Sequence, residues 1–456
     1  MGAQSRRGLL AGAAALALAR PALAMSGLER ALLLGPERRS FALDFRTGQT
    51  PGAVTFSRAS AATYFDASGT LRTATTNVPR LAYDPVSHAP LGLWMEGQST
   101  NLLAYSTPGG TGWTAIGMLS ATATPLCGSL PANALTPNSA TSNTFQTSVS
   151  GVTLPAGSAT VSMVAKSLGT NAYIQVNLTN GTSTYASVAY ADLTNGVAVV
   201  GADLLAGMTG KSASIVPEGA GTYRFSFSFT VPTGFTTANI YIGTCLVVSS
   251  TGDNRTYTGT LGQGIIAGGA QLEAMPFPTS YIATAGSAVT RAGDVALLSG
   301  TAFAQAINAA QGAVFVDAMI PNTTPSGSFP SLVDLDSWYA NKMAMWANQP
   351  PGAGTINVVR EVGGTLNGSM LNGGFYFGTP FRVGMRWSPA GLSGAVSGSA
   401  VVTNAGPLPP VTQMMLGNAN LNGTPLNGYI QRVQILKYAP SDAAFQAMSN
   451  PGVVVR

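Results

Sequence analysis

The sequence predicts an all-β protein: two β-sandwich domains preceded by a small, irregular β-rich segment. Three observations carry this. Apolar and polar residues alternate with period two over many short runs, the mark of half-buried strands. Tight-turn dipeptides such as Asn180-Gly181 and Asn195-Gly196 separate those runs. The composition is rich in glycine (55 residues) and holds only 9% charged residues, far below the roughly 25% of an ordinary soluble domain. Hydroxyls and amides occupy the places where charges usually sit. A chain of 456 residues is too long for one ordinary core.

Residues 1–24 are expected to form a cleavable leader. Ser5-Arg6-Arg7-Gly8-Leu9-Leu10 is similar to a twin-arginine export motif, and Ala22-Leu23-Ala24 fits an A-x-A cleavage site. Removing Arg6, Arg7 and Arg20 lowers the net charge from +5 to +2, so the basic balance belongs largely to the leader. Nucleic-acid binding, which needs a clustered basic face, is not expected. No later apolar run is long enough to span a bilayer, so no stable membrane insertion is expected after cleavage.

Residues 25–100 form the first segment. Ser40 to Phe45 and Ala53 to Ser57 alternate as short strands, Asp66-Ala67-Ser68-Gly69 reads as a turn, and Pro79, Pro85 and Pro90 interrupt the rest. Residues 101–290 are the first sandwich. In Tyr223 to Thr230 the aromatics alternate with polar residues. In Asn171 to Thr179, Ile174, Val176 and Leu178 face one way, and Tyr173, Gln175, Asn177 and Thr179 the other. Thr290-Arg291-Ala292-Gly293-Asp294-Val295 reads as the junction to the second sandwich, 291–456. Its strands include Ala313–Ala318, Phe381–Trp387 and Gly428–Ile435, and Ser441 caps a short helix.

Three motifs in the first segment resemble a known family: Thr55 to Asp66 (TFSRASAATYFD), Asn77-Val78-Pro79-Arg80 with Tyr83-Asp84-Pro85, and Gly92 to Leu103 (GLWMEGQSTNLL). They are similar to a segment of phage and prophage head-spike and tail-fibre proteins and related bacterial proteins. The resemblance implies that a carbohydrate-binding-module-like jelly roll follows, and after it a concanavalin-like (laminin-G-like) sandwich. Gly269–Glu273 with Thr279–Ile282 resembles the closing strand of the first, and Gly428–Ile435 the last strand of the second. The export signal departs from what a virion protein carries.

Few residues can carry chemistry. The one histidine, His88, lies between prolines, and no G-x-S-x-G elbow exists, so a Ser-His-Asp hydrolase and a His-ligated zinc site are not expected. Glycoside hydrolysis needs two carboxylates, but the E-x-D-x-x-E motif of concanavalin-like glycosidases is absent. Asp334-Leu335-Asp336 is the acidic pair at strand spacing; calcium binding is conceivable, and a solvated loop pair is the plainer expectation. Cys127 and Cys245 could pair in an oxidising compartment or stay as buried thiols.

A sugar offers an apolar C–H face and a rim of hydroxyls, matched by an aromatic ring beside amides. Tyr173, Gln175 and Asn177, with Tyr190 on a neighbouring strand, supply that set on one sheet. Trp338, Tyr339 and Trp346 supply a second in what reads as a loop before Pro350. Trp387 and Tyr223 read as core. The expectation is a periplasmic or extracellular, non-catalytic carbohydrate-binding protein whose partner is a polysaccharide or glycan. No cofactor or metal is implied, and homo-oligomers are compatible with it. The alternatives are a prophage-derived spike or tail-fibre attachment protein, and a polysaccharide-cleaving enzyme with a carboxylate pair.

Overall fold

The computed structural model describes residues 40–154, 156–181, 186–203, 205, 208–248, 253–322, 329–336, 340–348, 354–419, 424–451 and 453. The chain is all-β, with two sandwiches, and strands form where period-two alternation places them. Phe225, Phe227 and Phe229 of the Thr222–Val231 strand enter one core with Ile174, Val176 and Leu178 of Tyr173–Thr179.

That first sandwich has two six-stranded sheets. One runs Thr209–Pro217, Thr222–Val231, Gly157–Leu168, Gly264–Glu273, Ala132–Pro137 and Met118–Thr122. The other runs Val197–Val200, Ala186–Asp192, Tyr173–Thr179, Thr237–Cys245, Gln146–Thr153 and Thr114–Ile116. Neighbours within each sheet pair antiparallel. The four-residue loop 193–196 closes an antiparallel pair, with Gly196 at φ +63°, a left-handed value that glycine takes without a Cβ penalty.

The second sandwich packs a seven-stranded sheet on an eight-stranded one. The seven-stranded order is Thr55–Ser57, Val295–Ser299, Gln413–Leu416, Ser331–Asp336, Lys342–Asn348, Gly354–Val362 and Thr365–Phe375. The eight-stranded sheet holds Val402–Ala405, Gly391–Val396, Phe381–Ser388, Gly312–Met319, Gly428–Leu436, Pro90–Met95 and Leu81–Tyr83, with Phe41–Asp44 also pairing Gly428–Leu436. The first segment is therefore not a layer of its own: four of its strands complete the second sandwich, and Leu43, Phe45, Leu93 and Met95 lie in its core. Trp387 is fully buried there, and Ser441 Oγ accepts from Ala444 N at the head of helix Asp442–Met448.

The motifs of the first segment meet at a buried ion cluster. Arg58 Nη1 lies 3.0 Å from Asp294 Oδ1, Arg80 Nη2 2.5 Å from Asp294 Oδ2 and Arg80 Nη1 2.6 Å from Glu96 Oε2. Arg291 Nη2 lies 3.5 Å from Glu96 Oε2 and donates to the Gly97 carbonyl at 2.8 Å. Ser280, from the end of the first sandwich, donates its N–H and its hydroxyl to Glu96. Burial opposes the charge on Glu96, but Arg291 and Arg80 outweigh it and hold the carboxyl down at about 2. Residues far apart in sequence thus join both sandwiches to the first segment. Gly92 belongs to the same motif: at φ +98°, a Cβ there would collide with the Ile430 carbonyl of the paired strand.

Cys127 and Cys245 are free and lie in different apolar clusters. Burial pushes the Cys245 thiol up to about 12. Among the described residues no group of three His, Cys, Asp or Glu side chains is placed to hold a metal, and no helix is long and apolar enough to cross a membrane.

Candidate functional site

Tyr173, Gln175 and Asn177 share the face of their sheet that turns away from the core. Gln175 sits directly opposite Tyr190 in the ladder, so the structure brings this candidate set together. Their expected exposure is corrected. Gln175 and Tyr190 are 0% exposed and Asn177 1%, while Tyr173 is half-buried against Val188, Tyr190 and Cys245.

Residues 253–255 cover them. Gln175 Nε2 donates to Asn177 Oδ1 (2.7 Å) and to Asp253 Oδ1 (2.8 Å), and its Oε1 accepts from Asn254 N at 2.8 Å. Asn177 Nδ2 reaches Asp253 Oδ2 at 3.4 Å, and Asn254 Nδ2 reaches Tyr190 Oη at 3.4 Å. Arg255 clamps Asp253, bonds Gln146 and stacks 5.2 Å from the centre of the Tyr241 ring. Burial pushes the Tyr190 phenol up to about 12. The amides spend their hydrogen bonds inside the protein and offer little to a sugar. Asp253, Asn254 and Arg255 were missed in the sequence. The signal was there: a charged cluster in a chain with few charges.

The second set falls differently. Trp338 and Tyr339 lie outside the described residues. Trp346 is not in a loop, as expected, but on the Lys342–Asn348 strand of the seven-stranded sheet, half-buried. Phe329, 39% exposed, has its ring 6.1 Å from the Trp346 ring, and Lys342 Nζ stands 5.2 Å from the ring centre.

Asp334 and Asp336 are likewise not a solvated loop pair. They lie on the neighbouring Ser331–Asp336 strand and are buried. Leu332, Val333 and Leu335 enter the core. Asp334 faces the other way, paired with Ala344 on one side and Met415 on the other, and Ser331 pairs with Trp346. Asp334, Asp336, Trp346 and Ser331 therefore occupy one face.

On that face polar atoms lack partners. Both carboxylate oxygens of Asp334 are buried without a hydrogen bond, and so are Ser331 Oγ, Trp346 Nε1 and Thr355 Oγ1. The neighbouring charges are matched: Gln413 Nε2 donates to Asp336 Oδ1 at 2.6 Å, and Lys342 Nζ lies 2.9 Å from Glu361 Oε2. Burial first, and then the Asp336 charge, raise Asp334 to about 7, with Glu361 adding to the rise and Lys342 opposing it. An unsatisfied buried polar group costs about 1–3 kcal/mol, so such a cluster in a native fold calls for an explanation.

A cleft of about 330 Å³ lies where the first segment meets the first sandwich, lined by His88, Cys127, Lys166 and Glu218 among others. Cys127 Sγ sits 3.6 Å from Glu218 Oε2. Burial, then the Glu218 charge, push the thiol well above its ordinary value, which keeps it protonated and a poor nucleophile.

The class these sheets define is a two-sandwich all-β protein. No family model matches the sequence, and no curated protein matches it. Among solved structures, the chain is similar to the Ruminococcus gnavus sialidase CBM40 bound to α2,3-sialyllactose: 16% identity, 31% of this chain and 83% of that one, TM-score 0.25. Mouse laminin α1 domains LG4-5 match at 11% identity over 67% of this chain and 88% of that one, TM-score 0.24. Trypanosoma rangeli sialidase matches at 9% identity over 87% and 77%, TM-score 0.26. At these values the superpositions add nothing to the topology read from the sheets themselves.

Proposed function

We propose that this chain is an exported, non-catalytic carbohydrate-binding protein. Its glycan site is the outer face of the seven-stranded sheet around Trp346. The observation that carries this is the set of unpartnered buried polar atoms on Asp334, Ser331 and Trp346 beside a half-buried indole. A sugar ring can lay its C–H face on the tryptophan while its hydroxyls bond those atoms. The Tyr173 face, already bonded to Asp253 and Asn254, serves the fold. The test is a glycan array with the full chain and with Trp346→Ala. Binding to at least one glycan, lost or reduced tenfold or more in the variant while the fold persists, supports the reading; an array without any binding rejects it.

Cleavage by a carboxylate pair is a second reading, favoured by the raised pKa of Asp334 beside Asp336. Asp336 and Glu361 are each engaged, by Gln413 and Lys342, which argues against a free carboxylate base. Oligosaccharide release that disappears in Asp334→Asn would establish it. Nothing observed favours a prophage spike; the motifs that resemble that family build the buried ion cluster.

A further inference from the structure

Resting on the reading above, we propose that the Trp346 face selects a basic amino sugar, one with a free ammonium group, over neutral and acidic sugars. The argument is one of unmatched charge. Three carboxylates, Asp334, Asp336 and Glu361, lie on this face with one ammonium, Lys342. Lys342 is spent on Glu361 and on the Trp346 ring, and Asp336 takes the Gln413 amide. Asp334 is left with two bare oxygens at 0% exposure.

A ligand hydroxyl supplies Asp334 with one hydrogen bond and no charge. An ammonium supplies several donors and a positive charge that takes the place of the proton on Asp334, and charge-assisted bonds are roughly twice as strong as neutral ones. A ligand carboxylate would face the Asp336 charge and would hold the proton on Asp334. The dimensions fit one sugar unit. Asp334 and Trp346 are one strand apart and offset by two residues, which places them about 8 Å apart at the backbone. Ser331, also fully buried and unpartnered, pairs with Trp346 and can bond a hydroxyl of the same ring. The face is accessible on one side, where Asn357, opposite Trp346, is half-buried and Met370, opposite Asn357, is exposed; Asp334 and Ser331 lie beneath it at 0% exposure.

The experiment is titration of the full chain, followed by tryptophan fluorescence and calorimetry, at about pH 7, where an aliphatic amine is still largely charged and Asp334, raised to about 7, gives up its proton readily. The probes are a glucosamine oligomer, its N-acetylated counterpart and a galacturonate oligomer. The expected result is binding of the glucosamine oligomer at least tenfold more tightly than the other two. That preference should vanish in Asp334→Asn, which keeps its fold because the amide removes a buried acid. Trp346→Ala should weaken both the glucosamine and the acetylated ligand. Equal binding of the amino and acetylated oligomers, or tighter binding of galacturonate, overturns the amino-sugar inference and leaves carbohydrate binding standing. If no oligosaccharide of any class binds, the proposed function falls with it.

Discussion

Asp334 ties stability to pH in a direction that can be worked out. Its carboxyl is raised to about 7 by burial and by Asp336, from an ordinary 3.8. Between those values the folded chain holds a proton that the unfolded chain has released. The stability this contributes is therefore full below about pH 4 and is lost as pH rises through about 7. A shift of roughly three units corresponds to at most about 4 kcal/mol. Asp334→Asn removes the titration. Its melting temperature should exceed the parent's by more at pH 8 than at pH 5, as differential scanning calorimetry would show; an equal difference at both pH values would mean that Asp334 does not titrate as its surroundings dictate. A buried acid that costs the free protein stability is what the binding role proposed for this face would leave behind.

The Tyr173–Thr179 strand shows how an element acquires its role. Alternation puts Ile174, Val176 and Leu178 inside, and the opposite row would meet water if the sheet stood alone. Residues 253–255 lie over it, and Asp253 links Gln175, Asn177 and Arg255. Asp253→Ala should destabilise the chain by about 1–3 kcal/mol, because two buried amides lose a partner, and leave glycan affinity unchanged. Urea unfolding and a glycan titration of the same variant measure the two effects. A loss of binding with intact stability would return the site to this face. The Ser331–Asp336 strand is the converse case: its outward row stays buried, yet the Asp334 carboxylate oxygens and Ser331 Oγ on it have no partner.

At the scale of the whole molecule, the buried cluster of Arg58, Arg80, Glu96, Arg291 and Asp294 joins the first segment to both sandwiches. Removing one partner leaves charge buried and unpaired, at a cost of about 3–5 kcal/mol. Glu96→Gln should therefore lower stability by that order at neutral pH. Because Glu96 is held at about 2, below its ordinary 4.5, its contribution is present above about pH 4.5 and fades as pH falls toward 2. Parent and variant should converge in that range, as thermal melts across a pH series would reveal. A constant gap down to about pH 2 would show that the cost lies in packing rather than charge.

The sequence by itself determined the all-β class, the apolar faces of the strands, the Asn195-Gly196 turn and the helix cap at Ser441. Each is local, set by period-two alternation or by the backbone needs of a few adjacent residues. Arg58, Arg80 and Glu96 fall inside the family-like motifs it picked out, without a role of their own, and it named Tyr173, Gln175, Asn177, Tyr190, Trp338, Tyr339, Trp346 and the Asp334–Asp336 pair. Whether an outward residue meets water was decided elsewhere. Gln175 and Asn177 are buried by residues 253–255, more than 70 positions away, and Asp334 and Asp336 proved to be strand residues, not loop residues. The first segment looked like a preface and turned out to supply strands to the second sandwich, because pairing partners such as Leu93 and Ile430 lie more than 300 residues apart. Alternation tells a strand which side is apolar, but the covering of its other side is a tertiary event that no local pattern records.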